Sequence, residues 1–164
     1  MAGLDGIHAG IVNRSLVDGI IDGMDELLTG QALTTRAEQA LAVPLTSSLG
    51  AHLLDPDDPS AGAVFCVGDI AGNGAGGIHA AALSAAVELA AYLALLPHLR
   101  AVEHAITHSV AVHFITAAAV GDLVEVQGVI DRRTRRLAFA SATATVRDQI
   151  VARAQLTKSI VPFP

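Results

Sequence analysis

The chain is short of charge and of cysteine. Only 16% of its 164 residues are charged and the formal net charge is −6, a balance that disfavours nucleic acid or an anionic membrane surface as the main partner. Cys66 is the single cysteine, which excludes an internal disulfide and fits a reducing compartment. Set in an apolar β segment, it reads as a small core residue. The opening stretch MAGLDGIHAGIVNRSLVDG lacks a basic region followed by a sustained apolar block, so neither a signal peptide nor an anchor is expected and the cytoplasm follows by elimination. Internal repeats and low-complexity segments are missing as well.

Apolar residues are what the chain has in plenty, at 52%. One domain with a large core is the expectation for this length. Excess hydrophobicity further implies apolar surface buried between subunits, so a homodimer or homotetramer is expected.

The most informative stretch is DIAGNGAGGIHAAALSAAVE, Asp69 to Glu88, where a glycine-rich loop runs into an apolar helix. The run from Ile78 to Leu96 has no internal Gly or Pro, and Pro97 stops it. Ser84, Glu88 and Tyr92 recur every four residues and form one polar stripe, which with His79 places the helix in a protein interior and not in a bilayer. Before it, Ile11 to Leu41 reads as helical, with Gly30 separating two short pieces. Thr46 to Leu54 and Ala63 to Val67 read as strands joined across the turn-rich DPDDPS. After it come Ala105 to Thr116, Leu123 to Asp131, Leu137 to Arg147 and Ile150 to Val161, with short reversals at Gly121-Asp122, RRTRR and Asp148-Gln149 that favour antiparallel pairing. Val110, Val112 and Phe114 alternate with Ser109, Ala111 and His113, the pattern of a strand with one buried face. The expected architecture is α+β, with an antiparallel sheet wrapped around one long helix, a helical extension over 1–44 and a domain over 45–164.

That order of elements resembles the hotdog fold, and the residues resemble its acyl-CoA thioesterase branch, the phenylacetate-type and small human-type thioesterases. The branch carries Asn, then Gly three residues on, His three further, Gly-Gly opening the helix and an acidic residue within it. This chain has Asp69 at the Asn place, Gly72, Ala75 at the His place, Gly76-Gly77, and Ser84 where the carboxylate falls. FITAAAVGD, RRLAFASATATVRD and VARAQLTKSIV look like the later strands of the family.

The resemblance implies hydrolysis of an acyl-CoA thioester, with CoA as part of the substrate and no separate cofactor. Such chemistry needs a polarised carbonyl and an activated water or nucleophile. Gly76 and Gly77, at the mouth of a helix, suit an oxyanion hole, although the same glycines also serve close loop packing. Glu88 lies one turn past Ser84, about 6 Å along the axis, and is the leading base: desolvation would raise its pKa. The alternative is a structural carboxylate bonded to Tyr92, Thr107 or a histidine. Asp69 is the rival base, or a loop cap. Ser84 could hold a water or contact the thioester, or simply pack, and Thr107 falls where the resemblance places a hydroxyl that assists the attacking water. Gly72, Asn73 and His79 complete the expected ligand contacts at the loop. Arg132, Arg133, Arg135 and Arg136 form either a solvated turn or a site for the CoA phosphates. His104, His108 and His113 have no compact ligand spacing, and His108 and His113 would face opposite sides of one strand, so no metal is expected. Two other readings remain: a non-catalytic acyl-CoA-binding protein, supported by Ser84 at the acid position, and a hydratase or dehydratase, which needs an Asp/His pair the chain does not display.

Overall fold

The computed structural model describes residues 26–163. Helices α1 (Gly30–Leu41) and α2 (Pro44–Ser48) come first, followed by strands β1 (His52–Leu53) and β2 (Ala63–Cys66) and the core helix α3 (Ala80–Leu95). Four long strands complete the chain: β3 (Glu103–Phe114), β4 (Leu123–Arg133), β5 (Leu137–Val146) and β6 (Gln149–Pro162). All pair antiparallel in one six-stranded sheet of order β1-β2-β4-β5-β6-β3. A curled antiparallel sheet around a single long helix is therefore the architecture, as expected.

Small residues set how closely helix and sheet approach. Ala82, Ala86 and Ala90 of α3 and Ala138, Ala140, Ala142 and Ala144 of β5 are all buried in one core. A Cβ on Gly128 of β4 would stand 2.4 Å from the Ala90 carbonyl oxygen, so only glycine permits this approach. The stretch Ala80–His98 is long and apolar enough to cross a membrane, yet here it is the core helix, whose α-helical part ends at Leu95, with a short 3-10 extension that contains Pro97. The turn between β5 and β6 places Arg147 and Asp148 at φ 49° and 64°, the left-handed pair that a two-residue hairpin requires.

Several expectations are corrected. Thr46 to Leu54 is not one strand: α2 starts with Pro44 at its first position, Ser48 Oγ donates to the Pro44 carbonyl at 2.7 Å, and Gly50 at φ 68° ends it, leaving only His52–Leu53 extended. Within the described residues the early helical stretch is α1, which opens at Gly30; the piece expected before Gly30, from Ile11 to residue 25, lies outside them. Helix α1 packs onto the core through fully buried Ala37. Cys66 is exposed, because alternation in β2 turns Ala63 and Phe65 inward. A bulge between Thr107 and Ser109 shifts the alternation of β3. Thr107, Val110, Val112 and Phe114 consequently oppose the inward residues Lys158, Leu156, Ala154 and Ala152 of β6, while His108 and His113 share the other face. Val110 and Phe114 stay 46% and 49% exposed, so their face is only partly covered by the rest of the chain.

Candidate active site

The glycine loop is held by its own side chains. Asn73 Oδ1 accepts from the backbone N–H of Ala75 at 2.8 Å and of Gly77 at 3.1 Å, and Asn73 Nδ2 donates to the Ile78 carbonyl. Gly77 N–H is thus already engaged, whereas Gly76, exposed at φ 84°, has no hydrogen bond to its N–H among the described residues. A Cβ on Gly72 would press against the Gly68 carbonyl at 3.3 Å, so this glycine serves the turn. His79 caps α3, its Nδ1 accepting the Ala81 N–H at 3.0 Å. Asp69 is exposed at the outer edge of the loop. Ser84 turns its hydroxyl back to the Ala80 carbonyl at 3.0 Å, as a helical serine commonly does.

Two turns into α3 a second cluster forms. Thr107 Oγ1 of β3 donates to Glu88, Lys158 Nζ of β6 donates to Thr107 Oγ1 at 2.9 Å, and the ammonium stands 3.6 Å from the Glu88 carboxylate. Adjacent positions on β3 and β6 bring Thr107 beside Lys158, and α3 crosses above them. Glu88 is 46% exposed along its side chain, less buried than a core helix suggested. Lys158 is 2% exposed; burial pushes its ammonium below the usual lysine range, and Glu88 partly opposes that shift. Lys158 is not among the residues expected from sequence, although its phase with inward Ala154 and Leu156 is the signal that marks it.

Beyond Glu88 lies a cavity of about 290 Å³ between α1 and α2 on one side and α3, β3 and Phe163 on the other. Tyr92 OH and His104 Nδ1 share a hydrogen bond of 3.2 Å on its wall. Burial, then Arg36 and Lys158, hold the His104 imidazole below the usual range, and burial raises the Tyr92 hydroxyl against the influence of Arg36. Arg36 is 8% exposed. Its guanidinium donates to the carbonyls of Glu103 at 3.1 Å and Ala101 at 3.2 Å and lies 3.7 Å over the Phe163 ring.

The hairpin arginines divide. Arg133 pairs with Glu103 at 2.5 Å, and Arg100 pairs with the same carboxylate at 2.9 Å. Burial pushes Glu103 up, but these bonds outweigh it and hold the carboxyl below its usual range. Arg132, Arg135 and Arg136 are exposed. Among the described residues no three His, Cys, Asp or Glu side chains come together as a metal site.

The family model described as fluoroacetyl-CoA-specific thioesterase matches residues 70–163. Among solved structures, a thioesterase from Haemophilus influenzae is similar with a TM-score of 0.71 and 15% identity, covering 84% of this chain and 93% of that one. Zebra fish thioesterase superfamily member 2 gives 0.67 and 18%, covering 80% and 98%. A Streptococcus mutans protein bound to acetyl-CoA gives 0.56 and 19%, covering 61% and 79%. Likeness at these identities establishes the fold. A search of curated proteins gives no significant match.

Proposed function

The chain belongs to the fluoroacetyl-CoA-specific thioesterase family, and on that premise we propose that it hydrolyses an acyl-CoA thioester to the free acid and CoA. The observation that carries the reading is the Glu88–Thr107–Lys158 cluster: a carboxylate on the core helix with open access to solvent, oriented by a hydroxyl and a buried ammonium. Water oxygen bonds to the thioester carbonyl carbon while Glu88 takes its proton; the C–S bond then breaks, and the leaving thiolate receives that proton. Negative charge on the carbonyl oxygen is met by the free N–H of Gly76 near the positive end of α3.

One copy of the chain does not bring these groups together. Glu88 lies eight residues beyond Ala80, about 12 Å along the helix, and the glycine loop lies further back. The reading therefore places the carbonyl between Glu88 of one subunit and Gly76 of a second. Strand β3 favours that assembly: it is a twelve-residue edge carrying exposed Ile106, Val110 and Phe114, and long apolar edges pair. Arg132, Arg135 and Arg136, but not Arg133, whose guanidinium pairs with Glu103, are the residues proposed to meet the CoA phosphates.

A non-catalytic acyl-CoA-binding protein is the second reading, favoured by Ser84, whose hydroxyl is turned back into its own helix. Turnover of an acyl-CoA panel with detection of free thiol, alongside calorimetric binding of the same panel, separates the two. Binding without thiol release supports the second reading and refutes the first.

A further inference from the structure

Arg36 is a buried cation without a carboxylate partner among the described residues. Its guanidinium is fixed by two backbone carbonyls and the Phe163 ring, and it faces the cavity together with Tyr92 and His104. Lys158 adds a second positive charge to the wall, and Glu88 is the one acid there. Counting Arg36 and Lys158 against Glu88 leaves one positive charge in excess, with His104 held toward its neutral form. The rest of the wall is apolar, including Ala40, Val43, Leu45 and Leu89. A desolvated cation on a fixed fork in such a wall is matched by a carboxylate, which takes guanidinium N–H donors two at a time.

The cavity also has a direction. Glu88 and Tyr92 are one helical turn apart, about 6 Å along α3, with the Thr107–Lys158 pair at the Glu88 end and Arg36, His104 and Phe163 near Tyr92. We propose that this cavity is the acyl pocket and that Arg36, contributed by the N-terminal helical extension, selects a short acyl chain ending in a carboxylate. The proposal deepens the acyl-CoA reading and rests on it. Its volume of about 290 Å³ exceeds what a two-carbon acyl group fills, and its apolar walls fit the methylene chain between thioester and carboxylate.

The test compares glutaryl-CoA with 5-methylhexanoyl-CoA, in which an isopropyl group replaces the carboxylate at nearly constant shape. The expected result is a kcat/KM for glutaryl-CoA at least tenfold higher, and tighter binding by a similar factor in calorimetry, the scale of a charge-assisted hydrogen bond. Arg36→Met should lower the glutaryl-to-isostere ratio at least tenfold, and Arg36→Lys, which keeps charge but not the fork, should lower it less. Should Arg36→Met not fold, the ratio measured on the parent protein still decides. Equal hydrolysis and equal binding of the two esters overturn the carboxylate pocket and leave thioester hydrolysis standing. Selective binding of glutaryl-CoA without thiol release keeps the pocket and overturns hydrolysis, and binding of neither ester overturns both.

Discussion

Lys158→Met replaces a buried ammonium with an apolar side chain of similar length, and the structure gives the sign of its effect. Attraction to Glu88 across 3.6 Å is worth about 5 kcal/mol at an effective dielectric near 20, less the screening that a half-exposed carboxylate suffers. Taking an ammonium out of water costs several kcal/mol. The net lowering of the Lys158 pKa means that desolvation wins. Folded protein then binds fewer protons than unfolded chain between the lowered value and the ordinary 10.5, so stability contributed by this group rises with pH across that window. Below the window the charged lysine is a net cost. Its removal does not strand Glu88, which stays open to water and still accepts from Thr107. Lys158→Met should accordingly be more stable than the parent by about 1 kcal/mol at pH 7, with the advantage shrinking as pH nears 10, while hydrolysis falls because the cluster has lost its cation. Urea unfolding followed by far-UV circular dichroism at pH 7.0 and 9.5 reads both quantities. A variant clearly less stable than the parent at pH 7, or an advantage that grows with pH, would refute the reasoning.

Glu88→Gln keeps shape and one acceptor but cannot take a proton, so hydrolysis should drop at least about a hundredfold with CoA-ester binding retained; a parent-like rate would make Glu88 structural and Asp69 the next residue to test. Gly128→Ala drives a Cβ to within 2.4 Å of the Ala90 carbonyl, and the shift of α3 should cost about 2 kcal/mol after allowing for the stiffer unfolded chain, a loss visible in the urea midpoint. Glu103→Gln breaks the ion pairs that Glu103 makes with Arg100 and Arg133 and should cost about 2 kcal/mol, since the carboxylate is buried but both partners are partly exposed. Because the folded pKa of Glu103 lies below 4.5, its contribution is complete above that pH and is lost as pH falls through the folded value, so the difference between parent and variant should close in acid. Sedimentation should show at least a dimer, and a stable monomer at micromolar concentration would remove the two-subunit site.

Local pattern determined what local physics controls. The unbroken apolar run with Pro97 behind it defined α3 to within two residues at its start, and the short reversals at Gly121-Asp122, RRTRR and Asp148-Gln149 bounded β4, β5 and β6, because helix runs and turn signals are written in neighbouring residues. The glycine loop before α3 was equally legible. Where local signals compete, the fold decides between them: Pro44 and Ser48 make a helical turn out of an apolar segment with strand character, and one bulge in β3 changes which residues share a face. The site was legible only in pieces. Glu88 and Thr107 could be singled out, but Lys158 joins Thr107 across 51 residues of sequence and Arg36 reaches the Glu103 carbonyl across 67. Such contacts depend on strand register and on where α1 lands against α3. What stands beside a lysine on an apolar strand face was decided by the folded sheet and helix, which set a hydroxyl and a carboxylate against it, since burial and distance fix the electrostatic state of a charged side chain.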